Sequence, residues 1–198
     1  MLETLRERCE GPLRARLEPI VRWLAERRIT PNQVTLAALA ISVLAAMLIS
    51  AGWLRLGALV LIVGGLGDLL DGMLARATDQ ASAFGAFFDS TLDRLGEGAV
   101  LAAVAYRFAV EGSPLLVAVV MLALLGSLLV SYTRARAEAL GIDCKVGLMS
   151  RAERLVLIIA GLLLGLLGPA VALMAALSLY TVGQRVAHVR DALESRDP

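Results

Sequence analysis

Long apolar runs alternate with short polar breaks along this chain, and the breaks carry helix-starting and helix-ending signals. Thr30-Pro31-Asn32-Gln33 offers a hydroxyl cap, proline at the first helical position and glutamine three residues after the cap. A helix is predicted from there to about Ala51. After a turn from Gly52 to Arg55, a second apolar run starts near Leu56 and leads into a segment rich in aspartate. Residues Arg76 to Ser82 connect it to a third run, from about Phe84 to Ala109. Ser113-Pro114 caps a fourth, which reaches about Leu140 and leaves the apolar zone where Arg134, Arg136 and Glu138 appear. After a loop from Gly141 to Met149, Ser150-Arg151-Ala152-Glu153 has capping-box spacing and opens a fifth run. Gly161 and Gly165 give that run a face of small residues, and Gly168-Pro169 is expected to divide it from a sixth, ending near Arg185.

Runs of roughly 20 apolar residues match the thickness of a bilayer. The pattern predicts an all-α integral membrane protein with six transmembrane helices. Ahead of them, Leu13, Leu17, Ile20, Val21 and Leu24 recur at helical spacing, with Arg14, Arg16, Arg22 and Arg27 between them. This describes an amphipathic helix lying on the membrane surface, with Pro12 in its first turn and Pro19 kinking or dividing it. The expected organisation is a juxtamembrane segment over 1–29, a six-helix domain over 30–190 and a polar tail over 191–198.

Composition narrows the class further. At 58% hydrophobic and a mean hydropathy of +0.75, the 198 residues are too apolar for an ordinary soluble domain. The net charge of +1 conceals a segregation, because sixteen of the nineteen basic residues fall at one end of the predicted helices. Only Arg55 and Arg107 fall at the other end, and Arg94 lies within a helix. The positive-inside rule then places both termini and the aspartate-rich ends in the cytoplasm of a multi-pass cell-membrane protein. The first thirty residues lack an uninterrupted apolar core, so no cleaved signal peptide is expected. Cys9 and Cys144 read as free thiols, His188 as a surface residue, and no nucleic-acid partner is expected.

The candidate chemistry is concentrated between Asp68 and Asp93. On a helix, Asp68 with Asp71, and Asp89 with Asp93, present their carboxylates in pairs. A carboxylate at bilayer depth costs roughly 2.5 to 3.5 kcal/mol, so four of them must face each other, water or a cation. Oxygen donors without His or Cys suit Mg, Mn or Ca rather than zinc. Gly72 and Gly85 allow a backbone to approach a ligand, Ala75 keeps the adjoining surface low, and Arg76 supplies a charged fork for phosphate.

The full pattern is D-x-x-D-G-x-x-A-R from Asp68 to Arg76, eight residues, then G-x-x-x-D-x-x-x-D from Gly85 to Asp93. It closely resembles the signature of the CDP-alcohol phosphotransferases, membrane enzymes that make phospholipid headgroups. The resemblance implies that Asp68, Asp71 and Asp89 hold Mg or Mn, with Asp93 also in reach of metal. It also implies that Asp68, Gly72, Ala75, Arg76 and Gly85 receive the CDP part of CDP-diacylglycerol. Asp93 is then the candidate general base for the acceptor hydroxyl, and CMP is the leaving group. Asn32, from a Pro-Asn pair that family members commonly carry, either approaches the nucleotide or simply serves the helix start. The resemblance also implies a homodimer.

The acceptor is read from a second set of residues. Arg134, Arg136, Arg151 and Arg154 flank the fourth and fifth helices, and such a cationic pocket suits an acceptor that itself carries phosphate. Around Asp89–Arg94 and Ser131–Glu138 the chain looks most like the phosphatidylinositol phosphate synthases. Those enzymes use basic residues at the places of Arg134, Arg136 and Arg154, and one near Arg185; many carry Lys where Arg134 stands here. Inositol 1-phosphate is therefore the favoured acceptor and glycerol 3-phosphate the runner-up. Glu97, one turn past Asp93, reads as a supporting residue or as a partner for a basic one. The competing reading from another class is a carboxylate-lined proton or cation transporter. Arg76 and the motif glycines speak against it, because an ion path needs no phosphate fork.

Overall fold

The computed structural model describes residues 15–195, and within them the chain is all-helical. The expectations for Cys9, Pro12, Leu13 and Arg14 lie outside the described residues. Helix α1 occupies residues 15–26, followed by α2 Pro31–Ser50, α3 Leu54–Ala77, α4 Ala83–Val110, α5 Pro114–Ala139, α6 Arg151–Leu164 and α7 Leu167–Glu194.

Backbone chemistry at the helix ends sets these boundaries. Gln33 donates its N–H to the Thr30 hydroxyl at 3.4 Å, and the Thr30 N–H donates to the Gln33 side chain at 2.9 Å, so α2 starts in a reciprocal capping box. At the start of α6, the Ser150 N–H donates to the Glu153 carboxylate at 2.8 Å. Ser113 takes the cap position of α5 with Pro114 behind it, but its hydroxyl caps nothing. Six helices close alike, with an N–H donating to a carbonyl five residues back at 2.8 to 3.1 Å: Ile29 to Leu24, Trp53 to Leu48, Gln80 to Ala75, Ser113 to Phe108, Ile142 to Ala137 and Leu166 to Gly161. This closure needs a left-handed residue just before the donor. Gly52, Gly112, Gly141 and Gly165 fill that place, and so do Arg28 and Asp79, with φ of 57° and 53°.

Several sequence expectations are corrected. Helix α1 is not divided at Pro19, which forfeits one N–H while the helix continues to residue 26. The break between α6 and α7 falls at Gly165, not at Gly168-Pro169. Pro169 sits in the first turn of α7, where the missing N–H has no helical partner to lose. Helix α7 continues past Arg185 to Glu194, because the end of an apolar run is not the end of a helix. Of the six expected spans, α2, α3, α5 and α7 are long and apolar enough to cross a membrane. Helix α6 has 14 residues, about 21 Å against a core of about 30 Å, and α4 carries Asp89, Asp93, Arg94 and Glu97 between its start and its middle.

Contacts divide the chain into two compact units. The first comprises Val63–Asp93 and the described part of Met1–Ile41. Its core gathers Val21 of α1, Val34 of α2 and Leu74 of α3, with Leu24, Leu70 and Met73 against them. Leu17 and Val21 are buried, so much of the α1 apolar stripe is used within the protein rather than on the membrane surface; Ile20 and Trp23 stay exposed. Gly67 lets α3 approach α2, since a Cβ there would lie 2.8 Å from that of Ala38.

The second unit comprises Ser42–Ile62 and the described part of Arg94–Pro198. Ile49, Leu101, Val104, Val120, Leu162 and Met174 belong to its core. Helices α5 and α6 both pack on α7. A Cβ on Gly126 would lie 2.9 Å from that of Ser178, and one on Gly161 would lie 2.6 Å from that of Ala170. Gly165 packs on nothing and ends the helix instead. The connection from α5 to α6 is tied down from within. Arg185, buried in α7, donates from Nε to the Val146 carbonyl at 2.9 Å and from Nη1 to the Val130 carbonyl. Thr181 accepts the Met149 N–H at 3.1 Å, and Cys144 is fully buried beside Ala137 and Ile142.

Candidate active site

Within the first unit, both halves of the aspartate motif converge on one cavity of about 210 Å³. The last turns of α3 contribute Asp71, Gly72, Ala75 and Arg76, and the first turns of α4 contribute Gly85, Ala86 and Asp89. Each set recurs at one and four residues, which puts it on one helical face. Asn32 and Thr35 of α2 complete the wall with Gln80 and Ser82 from the connection. Two helices, α2 and α4, begin at this cavity, so their dipoles favour an anion there.

The small residues make the space. A Cβ on Gly72 would come within 3.5 Å of the Arg76 guanidinium, and one on Gly85 within 3.1 Å of Ser82 Oγ and 3.6 Å of Asn32 Oδ1. Ser82 also caps α4, accepting the Gly85 N–H at 3.0 Å. Asp79, left-handed, turns the chain so that Gln80 and Ser82 reach the wall. Asp71 is buried, and the Thr35 hydroxyl donates to its Oδ2 at 2.7 Å.

Asp68 and Asp93 are not among the residues that line the cavity. Asp71 nevertheless lies within electrostatic range of both Asp68 and Asp89. Among the described residues, no three His, Cys, Asp or Glu side chains converge closely enough to hold a metal as they stand. Their donor chemistry is all carboxylate oxygen, which fits a hard divalent cation and not zinc. Sequence reasoning missed Thr35, Gln80 and Ser82. Ser82, three residues before Gly85 at the start of a helix, was legible as a cap; Thr35 and Gln80 carried no local signal.

The basic residues of the second unit are not equivalent. Arg154 is almost fully buried, and its guanidinium makes a double bond set to Glu97, 2.6 Å from Nε and 2.9 Å from Nη2. Its third edge faces the Met149 carbonyl at 3.4 Å. Arg185 is likewise committed to two backbone carbonyls. Arg134 and Arg136 are exposed, Arg134 pairing with Glu138 at 2.8 Å, and Arg151 is half-buried at the start of α6. His188 meets the Asp143 carbonyl at 3.0 Å.

This arrangement has close counterparts. The archaetidylinositol phosphate synthase of Pyrococcus horikoshii is 38% identical over 98% of this chain and 99% of its own length. The crystal structure of Mycobacterium tuberculosis phosphatidylinositol phosphate synthase with CDP-DAG bound superposes with a TM-score of 0.82 at 34% identity, covering 86% of this chain and 92% of that one. The same enzyme in complex with manganese and citrate gives a TM-score of 0.82, over 86% of this chain and 87% of that one. The model of the CDP-alcohol phosphatidyltransferase family matches residues 28–183, which contain both motif halves and every wall of the cavity. The chain is therefore a membrane transferase of the CDP-alcohol phosphatidyltransferase family.

Proposed function

We propose that the protein transfers a lipid phosphate group from a CDP-linked lipid, CDP-diacylglycerol, to a hydroxyl of inositol 1-phosphate, releasing CMP. The observation that carries this reading is the single cavity in which Arg76, two carboxylates, two motif glycines and two helix N-termini meet. Its donors are those a diphosphate needs. The Mycobacterium tuberculosis structures, with CDP-DAG in one and manganese in the other, support donor and metal alike.

The roles follow the chemistry of each residue. Asp68, Asp71, Asp89 and Asp93 would hold Mg or Mn, which when bound would offset the charge of the donor's diphosphate. Arg76 grips phosphate oxygens, and Gly72, Ala75 and Gly85 let the CDP part lie against the backbone. Asp93 accepts the proton of the acceptor hydroxyl, whose oxygen attacks the phosphorus nearer the lipid as CMP departs. No covalent enzyme intermediate is required. Arg134 and Arg136, exposed, and Arg151, half-buried, would meet an acceptor phosphate, while Arg154 and Arg185 would serve it from commitments already made to Glu97 and the backbone. The six-span reading is retained, because α4 and α6 also expose large apolar side chains, including Phe87, Leu95, Val156 and Leu164. With the charge segregation it puts the motif on the cytoplasmic side, and the family resemblance implies a homodimer.

The test is release of labelled CMP from CDP-diacylglycerol by purified protein in detergent with Mn or Mg. Inositol 1-phosphate, glycerol 3-phosphate, free inositol and serine are offered separately, with Asp93→Asn as control. Metal-dependent release driven by inositol 1-phosphate, and lost in Asp93→Asn, is the expected result. Release driven by glycerol 3-phosphate instead overturns the acceptor; release that survives Asp93→Asn overturns the base.

A further inference from the structure

We infer that Thr35 is a positioning residue for the Asp71 carboxylate, pinning one of its oxygens and so fixing the rotation of that group at the cavity wall. The inference rests on Asp71 acting as a ligand to the divalent cation. Both residues are buried, at 4% and 5% exposure, so their hydrogen bond does not compete with water.

A threonine in a helix commonly returns its hydroxyl to the carbonyl four residues back. Thr35 has that option, with Oγ1 3.1 Å from the Pro31 carbonyl, but Asp71 Oδ2 lies closer at 2.7 Å. One hydroxyl has one proton. A carboxylate is the stronger acceptor, so the proton belongs to Asp71.

The contact is held in register by its neighbour along the helices. Three residues on from Thr35, Ala38 meets Gly67, which lies four residues back from Asp71. The two contacts are successive rungs between antiparallel α2 and α3. A Cβ on Gly67 would stand 2.8 Å from that of Ala38, so the missing side chain is what lets the hydroxyl reach the carboxylate. Gly67 does not line the cavity. Partners that orient a metal ligand typically govern 10- to 100-fold in metal affinity.

The experiment measures Mn binding to the purified full chain in detergent from the electron paramagnetic resonance signal of free Mn, without substrate or turnover. Thr35→Val keeps the shape and removes the donor; it should weaken Mn binding by roughly 10- to 100-fold, whereas Thr35→Ser, which restores a hydroxyl, should stay within about threefold of wild type. Asp71→Asn separates the two ideas. If Asp71→Asn binds Mn as wild type does, the metal reading falls and the role of Thr35 with it. If Asp71→Asn loses Mn while Thr35→Val does not, the positioning role alone is overturned. Should Thr35→Val fail to fold, Gly67→Ala decides in the same assay: weakened binding supports the rung, and wild-type binding overturns it.

Discussion

Replacing Glu97 by Gln keeps the side-chain volume and removes the charge opposite Arg154. The Arg154 side chain is 2% exposed and that of Glu97 16%, with two bonds of 2.6 and 2.9 Å between them. Removing one partner of a buried ion pair costs about 3–5 kcal/mol, because the other charge stays behind without compensation. The amide oxygen can still accept one bond and the Glu97 end is partly wet, so the lower figure, about 3 kcal/mol, applies. In a chain of this length each kcal/mol moves the melting temperature about 2–4 °C, which gives a fall of about 6–12 °C. The assay is thermal unfolding of the protein in detergent, followed by circular dichroism. The double variant Glu97→Leu with Arg154→Met removes both charges and should recover most of the loss, since apolar replacements of buried pairs are often neutral. A fall below about 2 °C for Glu97→Gln, or a double variant no better than the single one, would refute the buried-pair argument.

Two further predictions concern glycines and use the same melting assay. Gly126→Val drives a side chain into Ser178, whose Cβ would lie 2.9 Å away, and should cost about 1–3 kcal/mol by forcing α5 off α7; Gly183→Ala in α7, with nothing within 4 Å, should not destabilise. Gly98 and Gly141 both face open space, yet their alanine variants should shift in opposite directions. Gly98 is inside α4, where alanine gains about 0.5–1 kcal/mol, while Gly141 holds φ of 70°, where alanine loses about 1 kcal/mol. Equal shifts for the two would refute the assignment of Gly141 to a left-handed helix end.

The legible parts of this fold are those written in local chemistry. Thr30, Pro31 and Gln33 mark the start of α2, and Ser150 with Glu153 that of α6; Gly52, Gly112 and Gly141 mark three helix ends. Helical spacing puts Asp71, Gly72, Ala75 and Arg76 on one face of α3 and Gly85 with Asp89 on one face of α4, whereas the meeting of the two faces at one cavity was implied only by the family resemblance. What was illegible depends on partners far away in sequence. Arg28 and Asp79 close helices without the glycine that announces such an end. Arg154 and Arg185 read as cations for an acceptor phosphate, but Arg154 is paired with Glu97, 57 residues away, and Arg185 is committed to the Val130 and Val146 carbonyls. The Leu17–Val21 stripe signals an apolar partner without saying whether that partner is lipid or the protein's own α2 and α3.

The stretch between α5 and α6 has a practical consequence for anyone handling this protein. It is the longest connection among the described residues, and by length alone it invites an epitope tag, a fusion partner or a protease site. Tolerance of insertion follows the burial and bonding of the backbone, not its position in the sequence. Here Arg185 holds Val146, Thr181 holds Met149, and Cys144 is sealed in. Foreign sequence at that point would unseat the buried Arg185 and free the Thr181 hydroxyl, and a thiol reagent would find Cys144 closed to it until the fold opens.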